Sequence, residues 1–269
     1  MNNSCSAIAV IQARMSSTRL PGKMLMPLGD KPMLWHVVER AKRCRRVNKV
    51  VVATSNDLSD DAIAHYCSEN DISCLRGSLT DVLGRFIDVS DKFPSDYIVR
   101  ITGDCPLISP EFIDFQLDVA SSQKADIVQL DRRSGVLEGQ GVHSTNSLRE
   151  VFENSKDPDD REHVGSRYLI KFKHLFKVVG IKLPALYYDA SFRLAVDELP
   201  DYRVMNKIYE NLWQPGEIVP LLDALDFLKK MPHIAEVNQS VEHNEITESL
   251  NINKHRDAQK VESWHVWNG

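Results

Sequence analysis

Over the first hundred residues, short strand-like runs alternate with amphipathic segments of helical length, and this alternation constrains the fold more than any other feature of the chain. The runs are Ala7 to Ile11, Lys49 to Thr54, Asp71 to Leu75 and Tyr97 to Ile101. Each is too short to make a stable helix, and the first, second and fourth are nearly continuous in apolar residues, as strands buried on both faces are. Between them, Pro32 to Arg46 sets Leu34, Val37, Val38 and Ala41 on one helical face, with a basic outer face. Asp30-Lys31-Pro32 reads as the cap and first residue of that helix. A second helix is predicted from about Ser59 to Glu69, and a third from a Ser78 cap, with Asp81 three residues on, to Asp91. Strands joined by helices of this length predict an α/β fold, a doubly wound, mostly parallel sheet with right-handed crossovers.

Beyond Thr102 the alternation persists but loosens. A helix is predicted from Pro110 behind a Ser109 cap, then a strand at Asp126 to Leu130. Gly135 to Gly141 is the most turn-rich stretch and reads as a loop or hairpin. Helices follow near Thr145–Asn154 and Arg161–Lys173, strands near Phe176–Leu183 and Phe192–Val196, and helices near Pro200–Leu212 and Val219–Lys229. The simplest organisation is one domain over residues 1–230 carrying a small inserted lobe at roughly 131–192. A polar tail, 231–269, ends in Ser263-Trp264-His265-Val266-Trp267. Its two tryptophans fit docking on the body or on a partner subunit as well as they fit a frayed end.

Composition narrows the classes of function. In a chain of 269 residues, 42% hydrophobic content is ample for a core. A net charge of −5 argues against a general nucleic-acid binder, so basic clusters are local and aimed at a small anion. No apolar run is long enough to span a membrane, and the amino terminus lacks the order of a signal peptide, which predicts a cytoplasmic protein. Five scattered cysteines without a C-x-x-C pair fit reduced thiols rather than a zinc site or disulfide frame.

The chemistry is concentrated behind the first strand. Ala13-Arg14-Met15-Ser16-Ser17-Thr18-Arg19-Leu20-Pro21-Gly22-Lys23 leaves its carboxyl end with Arg14, Arg19 and Lys23 among hydroxyl residues such as Ser17. In open parallel sheets ligands bind outside the strands' carboxyl ends, and such a loop has the composition of a triphosphate cradle. The fourth strand ends in Thr102-Gly103-Asp104-Cys105-Pro106, which points a carboxylate into the same crevice. Asp197 closes the strand predicted at Phe192–Val196 in the same way. Magnesium takes one or two carboxylates plus substrate phosphates, so Asp104 and Asp197 form a candidate pair for Mg2+. His143, His163 and His174 show no metal-ligand spacing.

Ile11-Gln12-Ala13-Arg14-Met15-Ser16-Ser17-Thr18-Arg19-Leu20-Pro21-Gly22-Lys23-Met24-Leu25 resembles the signature of the CMP-sugar synthetase superfamily. This superfamily holds the acylneuraminate and 3-deoxy-octulosonate cytidylyltransferases, and the likeness is strongest to its spore-coat-polysaccharide branch. Further matches follow in order: Val51-Val52-Ala53-Thr54-Ser55, Arg76-Gly77-Ser78 with Asp81-Val82-Leu83, Arg100 to Leu107, Asp160-Arg161-Glu162-His163-Val164 and Arg193-Leu194-Ala195-Val196-Asp197. The resemblance implies transfer of CMP from CTP to a sugar or sugar-acid acceptor, with release of pyrophosphate, in surface-glycan synthesis by a homodimer. It implies magnesium at Asp104 and Asp197, and charge neutralisation by Arg14 and Lys23. It also implies cytosine reading by Arg76, Gly77, Ser78 and the backbone near Ala13, with Thr102 on the same wall. For the acceptor it points to Arg161, Glu162 and His163, which also sit where any helix start collects polar residues. The run Glu138-Gly139-Gln140-Gly141-Val142-His143 departs from the acidic Asp-Gly-x-Asp-Val-Glu pattern of the family and leaves the acceptor open.

Two other classes are weighed against this. A nucleotide-sugar-dependent glycosyltransferase of similar architecture expects an Asp-x-Asp strand end, and Thr102-Gly103-Asp104 lacks the first acid. A non-catalytic nucleotide-binding protein predicts a damaged cation loop or acid pair, and both are intact. No G-x-G-x-x-G follows the first strand, which excludes a dinucleotide oxidoreductase of the usual kind.

Overall fold

The computed structural model describes residues 5–131, 134–189, 192–241 and 261–269. Among these, one sheet contains β1 (Ala7–Gln12), β2 (Lys49–Ser55), β3 (Cys74–Gly77), β4 (Tyr97–Thr102), β5 (Ile127–Leu130), β6 (Gln140–Ser144), β7 (Val178–Lys182) and β8 (Trp264–Val266). The order across it is β8-β7-β5-β6-β4-β1-β2-β3. Every pairing is parallel except those of β6, which runs antiparallel to β4 and β5. The α/β, mostly parallel architecture expected from the sequence is therefore the one observed.

β1 lies centrally, with Ala7 to Ile11 buried throughout. Its alternating side chains serve two layers. Ala7, Ala9 and Ile11 pack in the layer of α1 (Met33–Lys42), α2 (Asp61–Glu69), α4 (Pro110–Gln123), α8 (Leu199–Leu212) and α9 (Leu221–Lys230). Ile8 and Val10 pack toward α3 (Val82–Lys92), α5 (Thr145–Asn154) and α7 (Ser166–Lys171). On α3, the helix that walls the site, Val82, Leu83, Phe86, Ile87 and Val89 are buried, and each contributes about 1.5–3 kcal/mol when fully removed from water. On the other layer the buried Arg40 donates from Nε and Nη1 to the carbonyls of Ile108 and Val219, tying α1 to the segments before α4 and α9.

Several local expectations are corrected. Lys31-Pro32 does not open α1 but pairs with Pro27-Leu28 in a small antiparallel hairpin, and the helix starts at Met33. The third strand lies at Cys74–Gly77 rather than from Asp71. Asp81, not Ser78, caps α3: its carboxylate accepts from the Gly84 N–H at 2.8 Å, while the Ser78 hydroxyl accepts from the Asp81 N–H at 3.1 Å. The helix read over Arg161–Lys173 is split into α6 (Pro158–Glu162) and α7, because Val164 and Gly165 carry φ values of 54° and 75°. Phe192 to Val196 is not a strand. It crosses the sheet's end, with the Leu194 N–H donating to Gly135 O and the Val196 N–H to Asp104 O. The turn-rich stretch ends in β6, a strand hidden by its composition, since only Val142 among Gln140 to Ser144 is buried.

Residues 242–260 of the predicted tail lie outside the described residues. Beyond them, β8 adds in parallel to β7, and buried Trp267 meets the rings of Phe112 and Tyr187 at centroid distances of 4.9 and 5.0 Å.

Candidate active site

The adjacent carboxyl ends of β1 and β4 position the site. The Gly103 N–H donates to Gln12 O at 2.9 Å. A Cβ at Gly103 would stand 2.8 Å from Met24 Sδ and 3.0 Å from Gln12 O, so only glycine lets the end of β4 press against the loop that leaves β1. That approach sets Asp104 beside the short 3-10 turn Lys23–Leu25.

Lys23 is 5% exposed, and its ammonium joins three groups. Nζ donates to Asp104 Oδ2 at 2.7 Å, to Val196 O at 2.8 Å and to Asp197 Oδ1 at 3.2 Å. Burial alone would lower its pKa, but Asp104 and Asp197 outweigh burial and hold it above the ordinary lysine value. For Asp104 burial acts to raise the pKa, and the attraction and hydrogen bond of Lys23 hold it below the usual carboxylate range. Both groups are therefore charged at neutral pH.

Asp197 is held from several sides. Oδ1 also pairs with Arg19 Nη2 at 3.0 Å, and Oδ2 accepts from Arg193 Nη2 at 2.7 Å. Arg193 Nε in turn donates to Asp201 Oδ1 at 3.0 Å. Asp201 is 2% exposed and accepts from the N–H groups of Asp197 and Glu198 at 3.0 and 2.9 Å and from Asn238 Nδ2 at 2.9 Å. This buried, satisfied network fixes the start of α8 and with it the second carboxylate.

A cavity of about 420 Å³ opens over this junction. Of the residues singled out in the sequence, Ala13, Arg14, Ser17, Arg19, Lys23, Thr102, Asp104, Glu162, His163 and Asp197 line it. The Met15 N–H donates to Asp60 Oδ1 at 2.6 Å, anchoring the loop, and Arg14 Nη2 pairs with Glu162 Oε1 at 3.0 Å across to α6. Arg76, Gly77, Ser78 and Arg161 are not among the lining residues. Arg76 donates to the carbonyls of Ser55 and Asp57 and pairs with Asp61 at 2.7 Å. Arg161 pairs with Asp81, donates to Phe152 O at 2.7 Å and lies 4.1 Å from the Phe152 ring centroid.

Arg85 lines the cavity as well and was not picked out by motif, nor were the supporting Arg193 and Asp201 given roles. One signal could have found Arg85. It shares the inward stripe of α3, three residues after Val82 and four before Val89, where an apolar residue is expected. A larger groove of about 500 Å³ lies at the opposite ends of the strands, lined by residues such as Asp96, Lys124 and Asp126. Its acids are engaged locally, Asp96 with Ser6 and Asp126 with Ser144 and the Lys177 N–H, so it does not gather reactive groups.

Asp104 and Asp197 offer the hard oxygen donors that suit a magnesium-like ion. Among the described residues no cluster of three His, Cys, Asp or Glu side chains could hold a metal unaided. A pair of carboxylates completed by substrate phosphates is the arrangement such an ion takes. No helix among the described residues is long and apolar enough to cross a membrane.

Residues 8–248 match the cytidylyltransferase family. The chain is 34% identical over 236 residues to an uncharacterised protein of Methanocaldococcus jannaschii, covering 87% of this chain and 95% of the relative. It is 31% identical over 214 residues to the spore coat polysaccharide biosynthesis protein SpsF of Bacillus subtilis, covering 78% of this chain and 88% of that protein. The solved structure of a cytidylyltransferase from Leptospira borgpetersenii superposes with a TM-score of 0.78 at 29% identity, covering 89% of this chain and all of that one. A match over most of the length, in a fold that gathers buried Lys23 and two carboxylates at the end of the sheet, shows that the chain belongs to the cytidylyltransferase family of nucleotidyltransferases.

Proposed function

We propose that this enzyme transfers CMP from CTP to a sugar or sugar-acid acceptor, releasing pyrophosphate, in surface polysaccharide synthesis. The observation that carries the reading is the buried Lys23 ammonium held between Asp104 and Asp197 in a cavity that Arg14 and Arg19 also line. An acceptor oxygen attacks the α-phosphorus in line as the bond to the leaving pyrophosphate breaks. Chemistry of this kind needs alignment and charge neutralisation more than a covalent protein group. Lys23, its three N–H groups taken by Asp104, Val196 and Asp197, acts on the transferred phosphoryl oxygens through its charge, and Arg19 neutralises the leaving pyrophosphate. Arg14 is oriented by Glu162, which ties the phosphate loop to the segment that carries His163. Asp104 and Asp197 would hold Mg2+, which when bound with the nucleotide neutralises phosphate charge. We place acceptor binding on the lobe at 131–192, where Glu162 and His163 reach the cavity. By family likeness the enzyme works as a homodimer.

The test is pyrophosphate release with Mg2+, each of the four nucleoside triphosphates, and a panel of ulosonic acids and sugar phosphates. Release is expected with CTP and one acceptor class. Equal release with all four triphosphates, or none with CTP across the panel, overturns the reading.

A further inference from the structure

We propose that Arg100 and His143 hold an oxyanion of the acceptor, a carboxylate or a phosphate ester set apart from the hydroxyl that attacks CTP, so that the enzyme takes an acidic sugar and rejects its neutral counterpart. The inference rests on the cytidylyltransferase reading and deepens it by naming the charge the acceptor carries.

Register puts both residues on one face of the sheet. Arg100 stands opposite Val10 of β1 on one side and Gly141 of β6 on the other, and His143 stands opposite Ile98. Val10 and Ile98 are buried in the layer of α3 and α5, so Arg100, Gly141 and His143 belong to that face. Arg100 Nε donates to Gln12 Oε1 at 3.1 Å, and Gln12 lines the cavity over Lys23. The guanidinium therefore leans toward the carboxyl ends of the strands and sits one hydrogen bond behind the cavity wall.

Neither residue is satisfied. Among the described residues, the bond to Gln12 is the only one that Arg100 makes, and no carboxylate pairs with it. Burial is the strongest influence on its guanidinium, and the acid that acts on it most, Asp104, is already taken by Lys23. A partly buried cation without a counter-ion is costly, and the planar donors of a guanidinium suit a carboxylate or a phosphate. His143 Nδ1 is buried without a partner. Burial and the charge of Arg100 hold this ring at about 4, so it is neutral at pH 7. A proton on Nδ1 would be a buried, unpaired donor, which leaves the proton on Nε2. Nε2 lies beside Gly141, where a Cβ would stand 3.7 Å from it.

Gly141 makes the room. Of the twelve glycines it alone has neither a left-handed φ nor a neighbour that a Cβ would crowd, so neither backbone nor packing requires glycine there. What glycine does is omit a side chain directly across from Arg100, at a cross-strand separation of about 5 Å. Gly141 and His143 are also the two places in Glu138 to His143 where the family pattern sets acids that this chain lacks. An acid there would neutralise Arg100 from within; in this chain the ligand does so.

The experiment measures pyrophosphate release by wild type, Arg100→Met and Gly141→Asp with CTP, Mg2+ and ulosonic acids, sugar phosphates or neutral sugars of the same length, with CTP affinity read by calorimetry. Wild type is expected to use one of the two anionic classes and not the neutral sugars, and the class it uses identifies the oxyanion as carboxylate or phosphate. Arg100→Met should raise KM for that acceptor by roughly 10- to 150-fold, the range for charge-assisted hydrogen bonds, with a smaller change in kcat and unchanged CTP affinity. Gly141→Asp supplies an internal carboxylate to Arg100 and should raise the same KM, while its melting temperature equals or exceeds that of wild type. Neutral sugars used as well as acidic ones overturn the proposal, as does an unchanged acceptor KM in both variants. An equal loss of CTP affinity would place Arg100 on the nucleotide and also overturns it. CTP binding by wild type without release from either anionic class overturns this proposal alone, whereas wild type that binds no CTP overturns the cytidylyltransferase reading as well.

Discussion

Replacing Lys23 by Met removes the cation that lies between two carboxylates while roughly keeping the volume of its stem. The result is Asp104 and Asp197 facing each other, together with a Val196 carbonyl that has lost its donor. Breaking a buried ion pair by deleting one partner costs about 3–5 kcal/mol. Here the carboxylate side chains keep 23% and 24% of their exposure, so screening by water puts the cost near the lower end, about 3 kcal/mol. For a chain of this size that is a fall of about 6–12 °C in melting temperature. The assay is thermal and urea denaturation in EDTA at neutral pH, repeated in millimolar Mg2+. The deficit is expected to shrink with Mg2+, because a divalent cation neutralises the same two acids. Putting Asp104→Asn in the same chain should also reduce the cost of Lys23→Met by more than about 1 kcal/mol, since the like-charge pair is gone. Pyrophosphate release by Lys23→Met should fall by roughly 100- to 1000-fold, the loss typical when a preorganised charge is removed from a developing anion. An unchanged midpoint in EDTA, with additive effects in the double variant, would show that the junction does not work as described.

Acid sensitivity should arise partly from two histidines, the buried His36 and the half-buried His143, which also lies near Arg100. Burial depresses His36 and His143 to about 4, while in the unfolded chain each titrates near 6.5. The unfolded state then binds the extra protons, so stability is full above about pH 6.5 and is lost as pH falls toward 4, by about 2 kcal/mol per histidine between pH 7 and 5. Urea midpoints across that range measure it, and His36→Gln should flatten the slope by its share; an unaltered slope would contradict a buried neutral His36. Asp201→Asn turns one of the acceptor oxygens that hold Asp197 into a donor. It should raise the Mg2+ concentration needed for half-maximal CTP binding roughly 10- to 100-fold, more than it alters affinity for nucleotide at saturating Mg2+. Titrating Mg2+ at fixed CTP separates the two, and an unchanged Mg2+ requirement would reduce Asp201 to a purely structural role.

Local sequence carried a large part of this molecule. The apolar runs at Ala7, Lys49 and Tyr97 could only be buried strands, and the cations of the first loop could only emerge at a strand's carboxyl end, because parallel pairing puts every such end on one edge. The placement of Asp104 followed from that rule alone. What tertiary structure decided were pairings between segments distant in sequence, where local pattern is silent. β6 is a strand because β4 and β5 leave a gap for it, although Gln140-Gly141-Val142-His143 has little of a strand's composition. Asp197 reaches Lys23 from an extended crossing segment, held there by Asp104 O, Arg193 and Asp201. Arg76, which sequence likeness pointed toward the base, turns to Ser55, Asp57 and Asp61, whereas Arg85, hidden within an apolar stripe, faces the cavity. Periodicity reports which side of an element is buried; whether the buried side meets a core or an empty crevice depends on what the rest of the chain brings opposite it.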